Sequence, residues 1–474
     1  MISYCRGVRR RFFGADKFRL NRDETPPQSL PVDTSDASGL GRAATSPADP
    51  EAEAREAEYE AFVWDNLKRN YIGNYLHGML GMTGFRLINA PTFMPVYIHM
   101  ISGSNTIVGL AQALQQVGGI ISPIFGATAI EHRTKVMPAA LWMGGLGRVQ
   151  IVGMALAGWF LQGQSLVYAM LALLFLFGVF MGAQRVVFGM LMAKVIPLSR
   201  RGRLQAWRNA TGGLIAAVLA WVAGKYIIEP DMFGHGYSVT FALAALLTTL
   251  GLWALQVLLR EPEPPNLPPK ARFRDRVRDF PALIRSDPGY APFLLVQMLT
   301  TVSRMAVPFY AIYATSSTGL SGAVLGLLAL AYLGADTVSN LLWGYLGDRT
   351  GFRLVLLISL ITWIGATAIL LVLHSPAAIF LAFFGLGASQ SGYMMATQTM
   401  ILEFGNREEM PMRIAISSSA EGITSSISPI LGGLVADAFG YPAVFGISIG
   451  FLVIGLVALV LLVKEPRHRQ LARV

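Results

Sequence analysis

Cysteine is almost absent: the 474 residues hold one, Cys5, which excludes an intramolecular disulfide framework and any cysteine-built metal cluster. Charge is scarce too, at 14% of residues against about 25% in ordinary soluble domains. Because 53% of the residues are hydrophobic, a water-soluble core could not hide them all. No apolar core of signal-peptide length stands near Met1, so cleavage and export of the N-terminus are not expected. There is no Walker A loop to cradle nucleotide phosphates and no His-Glu-x-x-His, and the six histidines are scattered rather than set at ligand spacing. One Gly-x-Ser-x-Gly occurs at residues 446–450, but inside an apolar run, where the strand-to-helix elbow that exposes a nucleophilic serine cannot form. Small residues there suit close helix packing instead. These absences predict a chain that is not an enzyme, needs no cofactor or metal, and does not hydrolyse ATP.

What the chain does have is long apolar runs, at roughly 74–99, 107–129, 137–160, 165–192, 209–228, 238–259, 291–314, 320–343, 354–373, 377–402, 414–436 and 442–463. A helix of about 20 residues crosses the roughly 30 Å apolar layer of a bilayer, so the runs predict an all-α integral membrane protein with twelve transmembrane helices. The net charge of +10 lies in short Lys and Arg clusters between the runs, not on one continuous face, which argues against nucleic acid as a partner. Loops carrying Arg133 and Lys135, residues 200–203, residues 260–285, Arg349 and Arg353, Arg407 and Arg413, and residues 464–473 alternate with loops that lack Lys and Arg. By the positive-inside rule both termini are cytoplasmic, with Lys225 as one mild exception, and the expected location is the cell (inner) membrane.

Residues 1–70 differ in kind from the rest. Six basic residues crowd the first twenty, and residues 23–58 are rich in Pro, Ser, Ala, Asp and Glu, which reads as a disordered cytoplasmic tail. A mitochondrial-type presequence is the alternative for the first twenty; residues 51–70 have helical character and lead into the first span. The predicted division continues with a six-helix bundle at 71–259, a linker at 260–290, a second bundle at 291–463 and a short tail at 464–474. In the linker, Phe273, Val277, Phe280 and Ile284 share one helical face among five arginines, as in an interfacial helix.

The two bundles read as copies. Leu258-Leu259-Arg260-Glu261-Pro262 closes the sixth span and Leu462-Val463-Lys464-Glu465-Pro466 the twelfth. Gly109 and Gly326 stand at one interval before Glu131-His132-Arg133 and Asp348-Arg349-Thr350, and Arg203 and Arg413 at one interval before Gly212 and Gly422. Residues 344–353 form a basic turn between two spans, in which Gly347 and Gly351 let the backbone turn and Asp348 is expected at a helix N-terminus. This Gly344-x-x-x-Asp348-Arg349-x-Gly351-x-Arg353 pattern resembles the signature loop of the major facilitator superfamily of secondary transporters. The resemblance covers about residues 71–466, with the signature intact in the second half and degenerate in the first. It implies two pseudo-symmetric six-helix bundles, a ligand site between them, alternating access, and a signature loop that controls the conformational change. It also implies a small-molecule substrate, coupling to H⁺ and function as a monomer in the bilayer.

Ionisable residues inside spans are costly and mark function. Arg86 in the first span and Arg304 in the seventh lie at near-equivalent depth, each shortly before a proline, and could clamp an anion between the halves through their planar forks. A midspan arginine on both of these helices resembles the organophosphate and phosphate antiporters of the superfamily. The competing reading pairs Arg304 with Asp336 on the neighbouring eighth span and leaves Arg86 with no acid nearby in sequence. Arg148 and Arg185 add positive charge to the first half and join the substrate candidates. Glu421, amid hydroxyls, and Asp336 are the proton-coupling candidates; Glu403 reads as a salt-bridge partner for a loop arginine. Export of a neutral or cationic hydrophobic compound against protons is the second substrate class, and a non-transporting sensor or receptor and a channel are the other functional classes. Reporter fusions at Gly236 and Arg276 should read outside and inside respectively; one side for both sinks the topology.

Overall fold

The computed structural model describes residues 50–130, 133–263, 289–319, 321–404 and 410–465. The linker helix expected at residues 271–285, the Glu131-His132 pair and most of both tails lie outside the described residues. The elements are α1 (Pro50–Asp65), α2 (Leu67–Asn89), α3 (Phe93–Ser102), α4 (Asn105–Ile130), α5 (Met137–Phe160), α6 (Gly163–Val195), α7 (Leu198–Ala223) and α8 (Gly236–Leu258). The second half holds α9 (Tyr290–Val302), α10 (Tyr310–Thr318), α11 (Gly322–Thr350), α12 (Phe352–Val372), α13 (Pro376–Glu403), α14 (Met410–Phe439) and α15 (Tyr441–Leu462). Ten stretches among the described residues are long and apolar enough to cross a membrane by length and composition. The remaining two expected spans are helical as well: the first is α2 followed by α3, broken at Pro91, and the second is α4.

Helices outrun the apolar runs where polar residues continue the turn beyond the apolar layer. α7 starts at Leu198, a full three turns before its apolar part, and passes at its far end into a widened π turn, Gly224–Ile228. α11 likewise runs through Asp348 and Arg349 to Thr350. The signature turn therefore shrinks to Gly351, at φ 91° and ψ 157°, and α12 begins at Phe352. Asp348 lies in the last turn of α11, not at a helix N-terminus as the sequence suggests.

Packing reproduces the repeat. In the first half α2 packs on α7 and α8, α6 on α4 and α5, and α5 on α8. In the second, α9 packs on α14 and α15, α13 on α11 and α12, and α12 on α15, which is the same set of neighbours seven elements later. The halves meet along α4 with α14 and α7 with α11, a pair of contacts that the same relation exchanges.

The repeated Arg/Lys-Glu-Pro endings have a structural role that sequence alone does not reveal. Glu261 accepts from the backbone N–H groups of Val136 (2.6 Å) and Met137 (2.8 Å) at the start of α5, and pairs with Lys194 at 2.7 Å. Glu465 accepts from the N–H of Arg353 (3.1 Å) at the start of α12. A carboxylate at a helix N-terminus satisfies open donors and the positive end of the dipole. Each half thus ties its last helix to the start of its third. The Glu261–Lys194 pair is almost wholly buried, with side-chain exposures of 4% and 9%. Glu261→Ala should cost about 3–5 kcal/mol, because the buried Lys194 loses its only acid among the described residues and keeps just the Thr134 carbonyl, whereas Glu465→Ala should cost nearer the ~1 kcal/mol of a lost cap. Thermal unfolding of the two variants in detergent checks the order, and equal losses would contradict it.

Candidate substrate and coupling site

Two broken helices set up the centre. Pro91 follows Ala90, whose extended backbone (φ −59°, ψ 140°) ends α2, and the chain restarts as α3 at Phe93. In the seventh span α9 gives way to a 3₁₀ stretch, Ser303–Phe309, containing Pro308, before α10 resumes. Proline lacks the N–H of a helical turn and crowds the carbonyl four residues earlier, which for Pro308 is that of Arg304. Arg86 and Arg304 therefore sit just ahead of a proline break, at corresponding places in the two halves. Ser448, the serine of the Gly-x-Ser-x-Gly sequence, donates to the Ser303 carbonyl (2.7 Å) at the start of the 3₁₀ stretch and helps to satisfy the backbone there.

Neither arginine presents an open fork. Arg86 Nη1 pairs with Asp336 Oδ2 at 2.7 Å, from α2 in one half to α11 in the other, and also donates to Thr337 Oγ1 at 3.2 Å. Gly213 on α7 leaves the room, since a Cβ there would come within 3.0 Å of Arg86 Nη1 and closer still to Thr337. Arg304 Nη1 pairs with Glu421 Oε1 at 3.3 Å, from the 3₁₀ stretch to α14. Gln297 donates from Nε2 to Glu421 Oε2 at 3.3 Å, and its Oε1 accepts from Ser417. Both pairs are about one-fifth to one-quarter exposed, at 21% and 19% for Arg86 and Asp336 and 21% and 28% for Arg304 and Glu421. The charges of Asp336, Arg304 and Arg86 all bear on Tyr332.

This corrects the pairing read from sequence. Consecutive spans suggest Arg304 with Asp336, yet α9 packs on α14 and α15, and the acid that Arg304 meets is Glu421. Arg86, which has no acid close in sequence, takes Asp336 from 250 residues away. The remaining candidates lie apart from this centre. Arg148 is buried inside the first half, where it donates to the Thr248 carbonyl (3.1 Å), the Gly144 carbonyl (2.7 Å) and Gln184 Oε1 (2.9 Å), with its guanidinium 5.3 Å from the Phe85 ring centre. Arg185 is exposed. In the signature segment, Arg349 stacks on Tyr345 at 4.3 Å and Arg353 donates to the carbonyls of Val463 (2.6 Å) and Val460 (3.1 Å) at the end of α15. Gly344 is half-buried, with the Met395 side chain at van der Waals distance from where a Cβ would stand, and Gly351 faces the Glu465 carboxylate, with no room for a Cβ.

At the end of the helices away from the basic loops, the halves are closed by contacts that sequence reasoning missed. Asp437, at the end of α14, accepts from the backbone N–H groups of Asn105 (3.0 Å) and Thr106 (2.8 Å) and from the Thr106 hydroxyl (2.7 Å) at the start of α4. Glu229, at the end of α7's π turn, accepts from the Ser321 hydroxyl (2.5 Å) and the Ala323 N–H (3.0 Å) at the start of α11. These bonds, that of Ser321 foremost, hold the Glu229 carboxyl below the usual carboxylate range. The Glu229 contact is thus present at neutral pH and is lost as pH falls through that lowered value. Between these caps the backbones touch. A Cβ on Gly109 would collide with the Pro429 carbonyl oxygen, and one on Gly326 would lie 2.9 Å from that of Trp221. Those two glycines mark the repeat in the sequence. The available signal was their pairing with acids at the opposite helix ends, which loop length alone does not expose.

Two equivalent six-helix halves, joined by one seam on each side and carrying paired charges in the membrane, define a solute transporter rather than an enzyme. The family model of the Major Facilitator Superfamily matches residues 76–303 and 293–473, and the chain belongs to that superfamily. It is 24% identical over 403 residues to the Multidrug resistance protein MdtG of Escherichia coli (strain K12 / DH10B), covering 83% of this chain and 94% of the relative. The Salmonella arizonae MdtG is 24% identical over 394 residues, covering 81% and 93%. Among solved structures, a D-xylose-proton symporter superposes with a TM-score of 0.65 at 15% identity, over 85% of this chain and 99% of that one. A variant of the nucleoside transporter NupG gives 0.65 at 12% identity, over 83% and 100%. At these identities the two structures establish the fold.

The observed pairing makes a specific prediction. Arg86→Ala should destabilise the protein by about 2 kcal/mol, below the full cost for a buried pair because both partners are partly exposed. Adding Asp336→Ala should restore much of the loss. Arg304→Ala with Asp336→Ala should show no such compensation, since Arg304 belongs to Glu421. Melting temperatures of the single and double variants decide it, and rescue in the second combination but not the first would overturn the assignment.

Proposed function

We propose that the chain is a proton-coupled secondary transporter that exports a small neutral or cationic organic molecule, with Asp336 and Glu421 carrying the proton. The observation that carries this reading is that each midspan arginine is neutralised by a carboxylate, one of them across the halves. Two neutral pairs give the centre no net charge with which to attract an anion. The likeness to the MdtG proteins, whose name is Multidrug resistance protein, supports the same substrate class and direction. In this reading the basic loops and both termini are cytoplasmic, in the cell (inner) membrane, and a single chain is sufficient for transport.

The mechanism follows from which contacts cross the halves. When the halves part at the level of Arg86, Asp336 loses its cation and is left beside Tyr332 and Thr337 in a poorly solvated place, where it takes up a proton. Loss of that proton restores the pair and draws the halves together again. Protonation and access are therefore two readouts of one equilibrium. Glu421 belongs to the second half alone, and its pair opens when a cationic group competes with Arg304 or a proton reaches the carboxylate. Asp348 and Arg349, at the basic end of α11, govern the rate of the change rather than the affinity for substrate.

A second reading, an organic or phosphate-type anion carried together with protons, is favoured by one fact. Each guanidinium is held by a single carboxylate, so protonating Asp336 and Glu421 would release both forks. Proteoliposomes separate the two. With a pH gradient imposed, a lipophilic cationic dye should move against the proton flow, and Asp336→Asn should abolish that drive while leaving downhill exchange. Proton-driven accumulation of a radiolabelled organic phosphate would establish the second reading, and indifference of both fluxes to pH would overturn proton coupling altogether.

A further inference from the structure

The first half encloses a cationic cluster that the central pairs do not explain. Arg148 on α5 and His77 on α2 are 3% and 5% exposed. Arg208 on α7 lies against the residue next to His77, for a Cβ on Gly78 would collide with its Nε. Phe188 joins the group: it stacks on His77 at 4.6 Å between ring centres and borders Gly144, whose carbonyl Arg148 holds. The charges acting on His77 are those of Arg148 and Arg208, and no carboxylate among the described residues acts on either arginine.

Three buried nitrogens in this cluster have no hydrogen-bond partner: His77 Nε2, Arg148 Nη2 and Arg208 Nε. Arg208 has only Met192 Sδ at 3.6 Å and Gln205 Oε1 at 3.4 Å, both weak acceptors at those distances. A guanidinium does not shed its proton at physiological pH, so burial cannot be relieved by neutralisation. Arg148 is buried and Arg208 half-buried, and two such charges beside one imidazole with no acid among the described residues are costly, a cost that falls when an anion enters. Arg86 and Arg304 each have a carboxylate, so this cluster differs from them in kind. His77 precedes Arg86 by nine residues, about 13 Å along the helix toward the basic end, while Arg148 reaches from the interior of the first half to the Phe85 ring beside Arg86.

We propose that His77, Arg148 and Arg208 form a binding site for a small inorganic anion, of the size of chloride or phosphate, within the first half. The arginines supply charge and donors, and His77 completes the ring of donors with Nε2 while Phe188 fixes its plane. Gly78 and Gly144, which carry no Cβ, let Arg208 and Arg148 lie close against α2 and α5. Occupancy neutralises the interior of the first half and ties α2, α5 and α7 together.

The test uses purified full-length protein at constant ionic strength. Replacing gluconate by chloride, or by inorganic phosphate, should raise the melting temperature in a saturable way. The ion that acts at lower concentration is the occupant. Arg148→Gln and Arg208→Gln should each remove the effect. His77→Phe keeps the stack on Phe188 but removes Nε2, and should weaken the apparent affinity about tenfold. Arg86→Lys should leave the anion effect intact, which separates this site from the central one. If an arginine variant fails to fold, equilibrium binding of radiolabelled chloride or phosphate to the wild type and to His77→Phe tests the site directly, with the same tenfold weakening expected. No saturable response in the wild type, or an equal response in all three variants, overturns the proposal and leaves water as the partner of the three nitrogens.

Discussion

A guanidinium and a carboxylate, one from each half of the molecule and 2.7 Å apart, set the terms for the rest of this structure. In a bilayer neither group can stay charged without the other or without water. The fold must therefore either keep Arg86 against Asp336 or provide a state in which the separated acid is neutral. In the mechanism proposed above, a protein built of two equivalent halves does both by tilting one half against the other, and the proton accompanies the motion. The second pair, Arg304 with Glu421, has the same chemistry but lies within one half, so it is not broken by the tilt itself. Under the proposed mechanism that difference separates the two acids more clearly than their depth in the membrane does.

The halves are made rigid from their ends. On the basic side Glu261 and Glu465 tie the last helix of each half to its third, and Arg69 and Arg353 hold the final carbonyls of α8 and α15. On the other side Asp437 and Glu229 reach from one half to the helix start of the other. All four acids use the same device, a carboxylate on free N–H groups at a helix start. Two of them act within a half and two between halves. In the transport cycle proposed above, the first kind would keep each bundle together and the second would be released.

Much of this is legible in the chain. Span length and loop charge reveal the membrane helices because the bilayer leaves the backbone few alternatives. Gly109, Gly326, Glu261 and Glu465 disclose the repeat because a duplicated half keeps its register. The arginines stand out because a charge in an apolar run has no bland surface explanation. The pairing of those charges is not legible. Sequence neighbours suggest Arg304 with Asp336, but consecutive spans need not face each other, and α9 turns toward α14 and α15. The signature turn is shorter than its sequence suggests for a related reason. Polar residues in the last turn of a helix read as loop, although the helix continues through Arg349 to Thr350.

The seams at Gly109 and Gly326 have no side chain on the glycine side, only main chain against main chain. Long side chains can follow a receding partner by changing rotamer, and so let a contact fade gradually. Main chain has no such reach. Dispersion between two backbones loses a quarter to a half of its strength within about 0.5–1 Å of separation, and the weak Cα–H···O contacts that accompany it fall away over a similar range. A closure made this way has almost no elastic range. At these two points the halves either touch or do not, whereas the side-chain contacts beside them, Asp437 on Thr106 and Glu229 on Ser321, can stretch before they break, so the glycine contacts set the fully closed position.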